Sequence, residues 1–143
     1  MFSAQKVLAM KKEFNEKLQR LISRKKPDNI NFLDEAKYQD IVDEVKAIKD
    51  KHSKTYHEFN MLENFDYIEI NGRYRLIKPK DANNSTKYYI RFDELFGVLH
   101  TMHLLHSHDV LNELSVHIKE RYCNISKEVI KIYLSCCQVC KNR

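Results

Sequence analysis

The sequence predicts an α+β fold, mainly helical: N-terminal helices, a small three-stranded antiparallel sheet, then a three-helix bundle. Three observations carry this expectation. Apolar residues recur at spacings of three and four in residues 4–25, 32–52 and 93–139, as in helices with one buried face. Around Asn71-Gly72 the period shortens to alternation, as in strands. Near the C-terminal end, two histidines and a Cys-x-x-Cys pair stand at spacings suited to one tetrahedral metal ion.

The first helix, residues 4–25, carries Val7, Phe14, Leu18, Leu21 and Ile22 on one face, and Ser3 is placed to cap it. Lys26-Pro27-Asp28-Asn29 ends it, because Pro27 has no N–H and restricts the residue before it. A second helix over about residues 32–52 presents Leu33, Tyr38, Ile41, Val42, Val45 and Ile48. Asp34 and Glu35 at its start, with Lys49 and Lys51 at its end, suit the helix dipole. Thr55-x-x-Glu58 is a capping box for a short third helix with Phe59 and Leu62.

Tyr67-Ile68-Glu69-Ile70 and Arg73-Tyr74-Arg75-Leu76-Ile77 flank Asn71-Gly72. A type I′ turn needs positive φ at both central residues, and Asn-Gly adopts it most readily. Pro79 ends the second strand, residues 81–86 form a loop, and residues 87–92 alternate as a third strand. Three short strands need a packing partner, which the flanking helices can supply.

Three helices then cover about residues 93–105, 109–122 and 127–139. Their inward residues are Leu95, Phe96, Val98, Leu99 and Met102, then Leu111, Leu114, Ile118 and Tyr122, then Val129, Ile132 and Tyr133. Asn124-Ile125-Ser126 separates the last two and caps the final one. The expected organisation is a helical region, residues 1–58, a small sheet unit, residues 59–92, and a closing bundle, residues 93–143.

A chain of 143 residues makes one ordinary domain or two very small ones. At 43% hydrophobic and 31% charged it reads as neither disordered nor membrane-embedded, and no apolar run approaches transmembrane length. Its N-terminus meets Lys6, Lys11, Lys12 and Glu13 too soon for a signal peptide. The four cysteines are therefore expected in a reducing, intracellular setting, free or metal-bound. The net charge of +5 is uneven: residues 1–27 carry eight Lys/Arg against two Glu, and residues 117–143 carry six against two. Two basic ends suit an acidic partner, nucleic acid being the commonest, although a solvated surface has the same composition.

His103, His108, Cys137 and Cys140 are the candidate metal ligands. Thiolates three apart at a helix end share a face, so both can reach one metal. Histidines five apart do not share a face, so one belongs on a helix and the other on the loop after it. Folding would then bring the last helix against the first of the trio. One Zn2+ held by two imidazoles and two thiolates has no open position for water, so it builds structure and performs no chemistry. Other readings stay open. His100, His106 or Cys136 could replace a chosen ligand, and all of these residues could be ordinary core or surface groups. Cys123 reads as a core residue. A Cys136 nucleophile with a histidine base is a weak alternative, and no phosphate loop, nucleophile elbow or dinucleotide fingerprint occurs. The expectation is a protein that is not an enzyme.

Glu94-Leu95-Phe96, His103, His108, Arg121-Tyr122, Asn124-Ile125-Ser126-Lys127-Glu128-Val129 and Cys137-Gln138-Val139-Cys140 resemble the His-His-Cys-Cys domain of retroelement integrases. The likeness is closest to gypsy-type and Ginger-type transposon integrases and their domesticated host relatives. It covers residues 88–143 well and residues 59–87 loosely, the latter resembling the small extension domain ahead of the zinc bundle. The resemblance implies a three-helix bundle folded around one zinc, packing subunits together and touching element-end DNA. Ser107 and Asp109 stand where family members flank the second histidine with glycine. Asn124-Ile125-Ser126 replaces an aromatic-proline pair.

The resulting expectation is a nuclear, non-catalytic zinc-binding module that binds DNA or chromatin-associated partners and self-associates as a dimer. Phosphate contacts would come from Arg20, Arg24, Lys25, Lys26, Lys119, Arg121, Lys127, Lys131, Lys141 and Arg143, positioning DNA without specifying sequence. Two alternatives accompany it. One is a domesticated protein–protein adaptor using Tyr88-Tyr89-Ile90 and the helix around Phe14. The other is the front of an integrase whose catalytic core, with its two-metal site, is absent. No small-molecule substrate and no membrane partner is expected.

Overall fold

A computed structural model describes residues 4–26, 29–79, 85–106 and 110–140. Among these, the chain forms six α-helices and one two-stranded antiparallel sheet, a mixed but mainly helical fold. α1 (Ala4–Ile22) buries Met10, Phe14, Leu18 and Leu21, one stripe at spacings of four and three. Ser3, Pro27 and Asp28, read as cap and stop signals, lie outside the described residues. A 3₁₀ turn (Ile30–Phe32) leads into α2 (Glu35–Lys49), where the Asp34 carboxylate accepts the Lys37 N–H. Tyr38, Val42, Val45 and Ile48 form the buried stripe of α2. α3 (Tyr56–Asn64) opens with the expected capping box. Thr55 Oγ1 accepts the Glu58 N–H at 3.2 Å, and Glu58 accepts the Thr55 N–H at 2.8 Å.

The hairpin joins β1 (Asp66–Ile70) to β2 (Arg73–Ile77) through Asn71 at φ 51° and Gly72 at φ 79°. Both positive angles are those of the type I′ turn, whose twist matches that of the flanking strands. Its register pairs Ile70 with Arg73 and Asp66 with Ile77.

The expected third strand over residues 87–92 does not form, and the sheet has two strands rather than three. Tyr88 makes one isolated bridge to Ile77, and the Tyr89 N–H reaches the Leu76 carbonyl at 3.0 Å. The return rung is occupied by a side chain. The Leu76 N–H donates to the Tyr38 hydroxyl at 2.6 Å, and that hydroxyl donates to the Tyr89 carbonyl at 3.4 Å. Beyond it the Asn124 side chain takes the peptide groups of Ile90, and Phe92 N–H donates to Leu33 O. Alternation in sequence cannot show that other groups have claimed the ladder positions.

A second 3₁₀ turn (Phe92–Glu94) opens α4 (Leu95–Leu105), followed by α5 (Leu111–Lys119) and α6 (Lys127–Cys136). The Ser126 hydroxyl caps α6 by accepting the Val129 N–H.

Two groups of buried side chains result. The larger joins α1 to α4, α5 and α6 through Phe14, Leu18, Phe96, Leu99, Leu114, Ile118, Ile130 and Tyr133. The smaller joins α2 to the hairpin through Tyr38, Val42, Val45, Phe65, Leu76 and Tyr89. Lys17 Nζ reaches Ser135 Oγ at 2.9 Å and Lys25 Nζ reaches Glu128 at 3.0 Å, so α1 runs antiparallel to α6. The first helix is thus a fourth member of the closing bundle in space, although the hairpin lies between them in sequence. Among the described residues no helix is long and apolar enough to cross a membrane.

Candidate metal centre

Three of the four expected ligands converge. His103 stands in the last turn of α4, Cys137 is the residue at which α6 stops, and Cys140 closes the turn after it. One ligand atom from each lies within 4.8 Å of the others, and Cys140 Sγ is 3.2 Å from His103 Nε2. Two ligands on a tetrahedral zinc with ordinary Zn–S and Zn–N bonds sit roughly 3.5–3.8 Å apart, so the cluster has the dimensions to hold a metal ion. His103 and Cys137 are fully buried and Cys140 is half-buried. His108 lies outside the described residues, so this group is a triad here.

The local geometry differs from a shared helical face. α6 ends at Cys136, and Cys137 turns extended at φ −76°, ψ 120°. The pair is therefore presented by a helix end and a following turn. It brings both sulfurs back to His103 of α4.

Tyr133 supports the site from one turn earlier. It has no solvent exposure, and its ring meets the His103 ring edge-on at 5.3 Å between centroids. Its hydroxyl pairs with His100 Nδ1 at 2.8 Å, while His100 stacks on Phe96 at 5.3 Å. Phe14 of α1 packs against both Phe96 and Tyr133. Burial, followed by the neighbouring Cys137, Cys140 and Cys136, pushes the Tyr133 hydroxyl well above its ordinary range, so it stays a neutral hydrogen-bonding group. Tyr133 was legible as an inward residue, but nothing in sequence marked it as the prop of His103.

The rival ligands stand elsewhere among the described residues. His100 is turned to Tyr133, and His106 stacks on His117 of α5 at 3.7 Å between ring centroids. Cys136 is buried beside Lys6, Ala9, Met10, Glu13 and Gln138, toward α1. Burial, then Glu13, pushes its thiol up to about 11, which leaves it protonated and a poor nucleophile at neutral pH. Cys123 is half-buried against the Tyr88 carbonyl, its thiol likewise raised to about 11 by burial.

The expected basic residues fall into two groups. Arg20, Arg24 and Lys26 are exposed at the end of α1, and Lys127 and Lys131 are exposed on the adjoining α6. Lys25 lies among them, half-buried and paired with Glu128. Lys119 and Arg121 are exposed at the end of α5. Lys141 and Arg143 lie outside the described residues. Phe14, Tyr89 and Ile90, considered as partner contacts, are buried core residues instead, because helix packing and the Asn124 clamp turn them inward.

No family model matches the chain. The chain is similar to the human KRAB-A domain-containing protein 2. They share 29% identity over 135 residues, which cover 94% of this chain and 27% of that protein. The chain therefore spans little more than a quarter of that relative's length. No solved structure matches.

Proposed function

We propose that the protein is a non-catalytic, integrase-like zinc-binding module that uses its basic helical face to bind DNA. The observation that carries the reading is the buried convergence of His103, at the end of α4, with Cys137 and Cys140, just past the end of α6. Zinc fits a site of two sulfurs and an imidazole better than calcium or magnesium, which take oxygen. His108 is the fourth ligand in this proposal. Zinc would tie the end of α6 to the end of α4, and structural zinc contributes ~10–16 kcal/mol of apparent binding energy in finger peptides.

The DNA reading is supported by the α1–α6 seam. Lys25–Glu128 and Lys17–Ser135 hold the two helices together, so Arg20, Arg24, Lys26, Lys127 and Lys131 share one region of the surface. Cations so gathered would meet phosphates and release counterions on binding. A DNA partner would make the protein nuclear. The test is anisotropy of a labelled duplex at increasing salt. Affinity should fall steeply, and Arg24→Glu with Lys131→Glu should flatten the slope. Absence of binding at about 50 mM salt would remove the DNA reading.

A second reading, a protein-contacting or self-associating surface, has its own support. Leu104 and Leu105 on α4, Val110 and Val116 at α5, and Val139 between the two ligand cysteines are all exposed apolar residues. Sedimentation of the zinc-loaded chain distinguishes a dimer from a monomer.

A further inference from the structure

The hairpin carries a surface that the zinc site and the α1–α6 seam do not use. Its register pairs Ile70 with Arg73 and Ile68 with Arg75, and strand alternation puts these four residues on one face. The other face belongs to α2: Tyr74 carries Lys46 Nζ 4.0 Å over its ring, and Leu76 joins the core with Val42 and Val45. Beside the first face lies a groove of about 490 Å³ lined by Ile70, Asn71, Arg73, Arg75, Tyr88 and Tyr122.

The walls of this groove are held in place. Tyr88 donates its N–H to Arg121 O at 2.8 Å and accepts the Cys123 N–H at 3.0 Å, so Tyr88 and Tyr122 are fixed side by side. Glu94 orients the Arg75 guanidinium at 3.3 Å. Arg73 is exposed and makes no ion pair among the described residues. Two half-buried aromatic rings therefore stand beside two guanidinium groups, one of them without a counter-charge among the described residues.

We propose that this groove binds an unpaired nucleotide strand, with bases lying against Tyr88 and Tyr122 and phosphates met by Arg73 and Arg75. Base–aromatic stacking tolerates any sequence, and arginine forks match phosphate oxygens. A duplex keeps its bases stacked on one another and cannot offer them to the tyrosines. An acidic peptide would satisfy the arginines but leave both rings without a planar partner. The groove volume suits one or two nucleotides. This inference does not depend on the DNA reading above, because it uses a different surface and a different form of nucleic acid.

The test uses the full chain and a labelled oligothymidylate of about eight nucleotides, beside a blunt duplex. Arg73→Glu should weaken oligothymidylate binding about tenfold or more, and Tyr122→Leu by a comparable factor, with duplex affinity changed less than about twofold. Lys12→Glu, exposed on α1 and outside both proposed surfaces, should leave oligothymidylate affinity unchanged. Ultraviolet cross-linking of a bromodeoxyuridine-substituted strand should label Tyr88 or Tyr122, a readout that needs no variant. No oligothymidylate binding at about 50 mM salt, unchanged binding by Arg73→Glu, or cross-links confined to other residues would overturn the proposal. Binding of polyglutamate in place of the oligonucleotide would also overturn it, in favour of an acidic protein segment.

Discussion

Asn124 and Ile90 are joined by two hydrogen bonds: Asn124 Oδ1 accepts the Ile90 N–H at 3.0 Å, and Asn124 Nδ2 donates to the Ile90 carbonyl at 2.9 Å. The same Nδ2 donates to Ile30 O at 2.9 Å. One buried carboxamide thus ties the linker before α6 to the 3₁₀ turn before α2 and to the chain leaving the hairpin. Asn124→Ala strips partners from these backbone groups. The expected loss is about 3 kcal/mol of unfolding free energy, read as a lower urea midpoint at unchanged slope. Asn124→Asp keeps the shape but loses both donors, and should not rescue it. A loss below about 0.5 kcal/mol for Asn124→Ala would show that the clamp is redundant.

Phe14 has no solvent exposure and packs on Phe96 and Tyr133 at centroid distances of 5.7 and 6.3 Å. Phe14→Ala should cost ~3–5 kcal/mol, the range for deleting a buried aromatic. Because Tyr133 in turn touches His103, the same variant should weaken zinc binding in a competition with a chromophoric chelator. Unchanged metal affinity would mean that α1 stabilises the bundle without preorganising the site.

Cys137→Ser and Cys140→Ser should each abolish stoichiometric zinc, whereas Cys136→Ser should retain it, since Cys136 is buried on the side facing α1. Elemental analysis of the purified variants reads this directly. Chelation of the native protein should lower its melting temperature, and added zinc should restore it. One full equivalent of zinc in Cys137→Ser would defeat the assignment.

The Glu58 carboxyl is held down to about 2 by the Lys51 ammonium and then by the Thr55 N–H. Its folded value lies below the ordinary one of 4.5, so its contribution is complete above that value and fades as pH falls from there toward 2. Helicity at α3 should decline across that window, and Glu58→Gln should remove this part of the pH dependence. A carboxyl carbon titrating near 4.5 in a site-resolved NMR experiment would contradict the pairing.

Much of the secondary structure was legible because its causes are local. The Thr55–Glu58 box, the Asn71-Gly72 turn and the 3.6-residue stripes of α1 and α2 each depend on residues within a few positions of one another. The site was half legible. The spacing of His103, Cys137 and Cys140 marked them as candidates, because zinc chemistry restricts residue type and separation. His100, His106 and Cys136 were equally plausible by type, and only packing separated them: one faces Tyr133, one stacks on His117, one is buried toward α1.

By itself, then, the sequence determined where helices and turns form and which side chains are candidates for metal-binding chemistry, since propensity, capping and ligand type act over short range. Tertiary structure alone decided that α1 joins the distant bundle, that Tyr38 and Asn124 take the ladder positions of a third strand, and that Tyr133 braces His103. Those outcomes come from buried groups competing for partners far apart in the chain. A pattern of neighbours does not encode that competition.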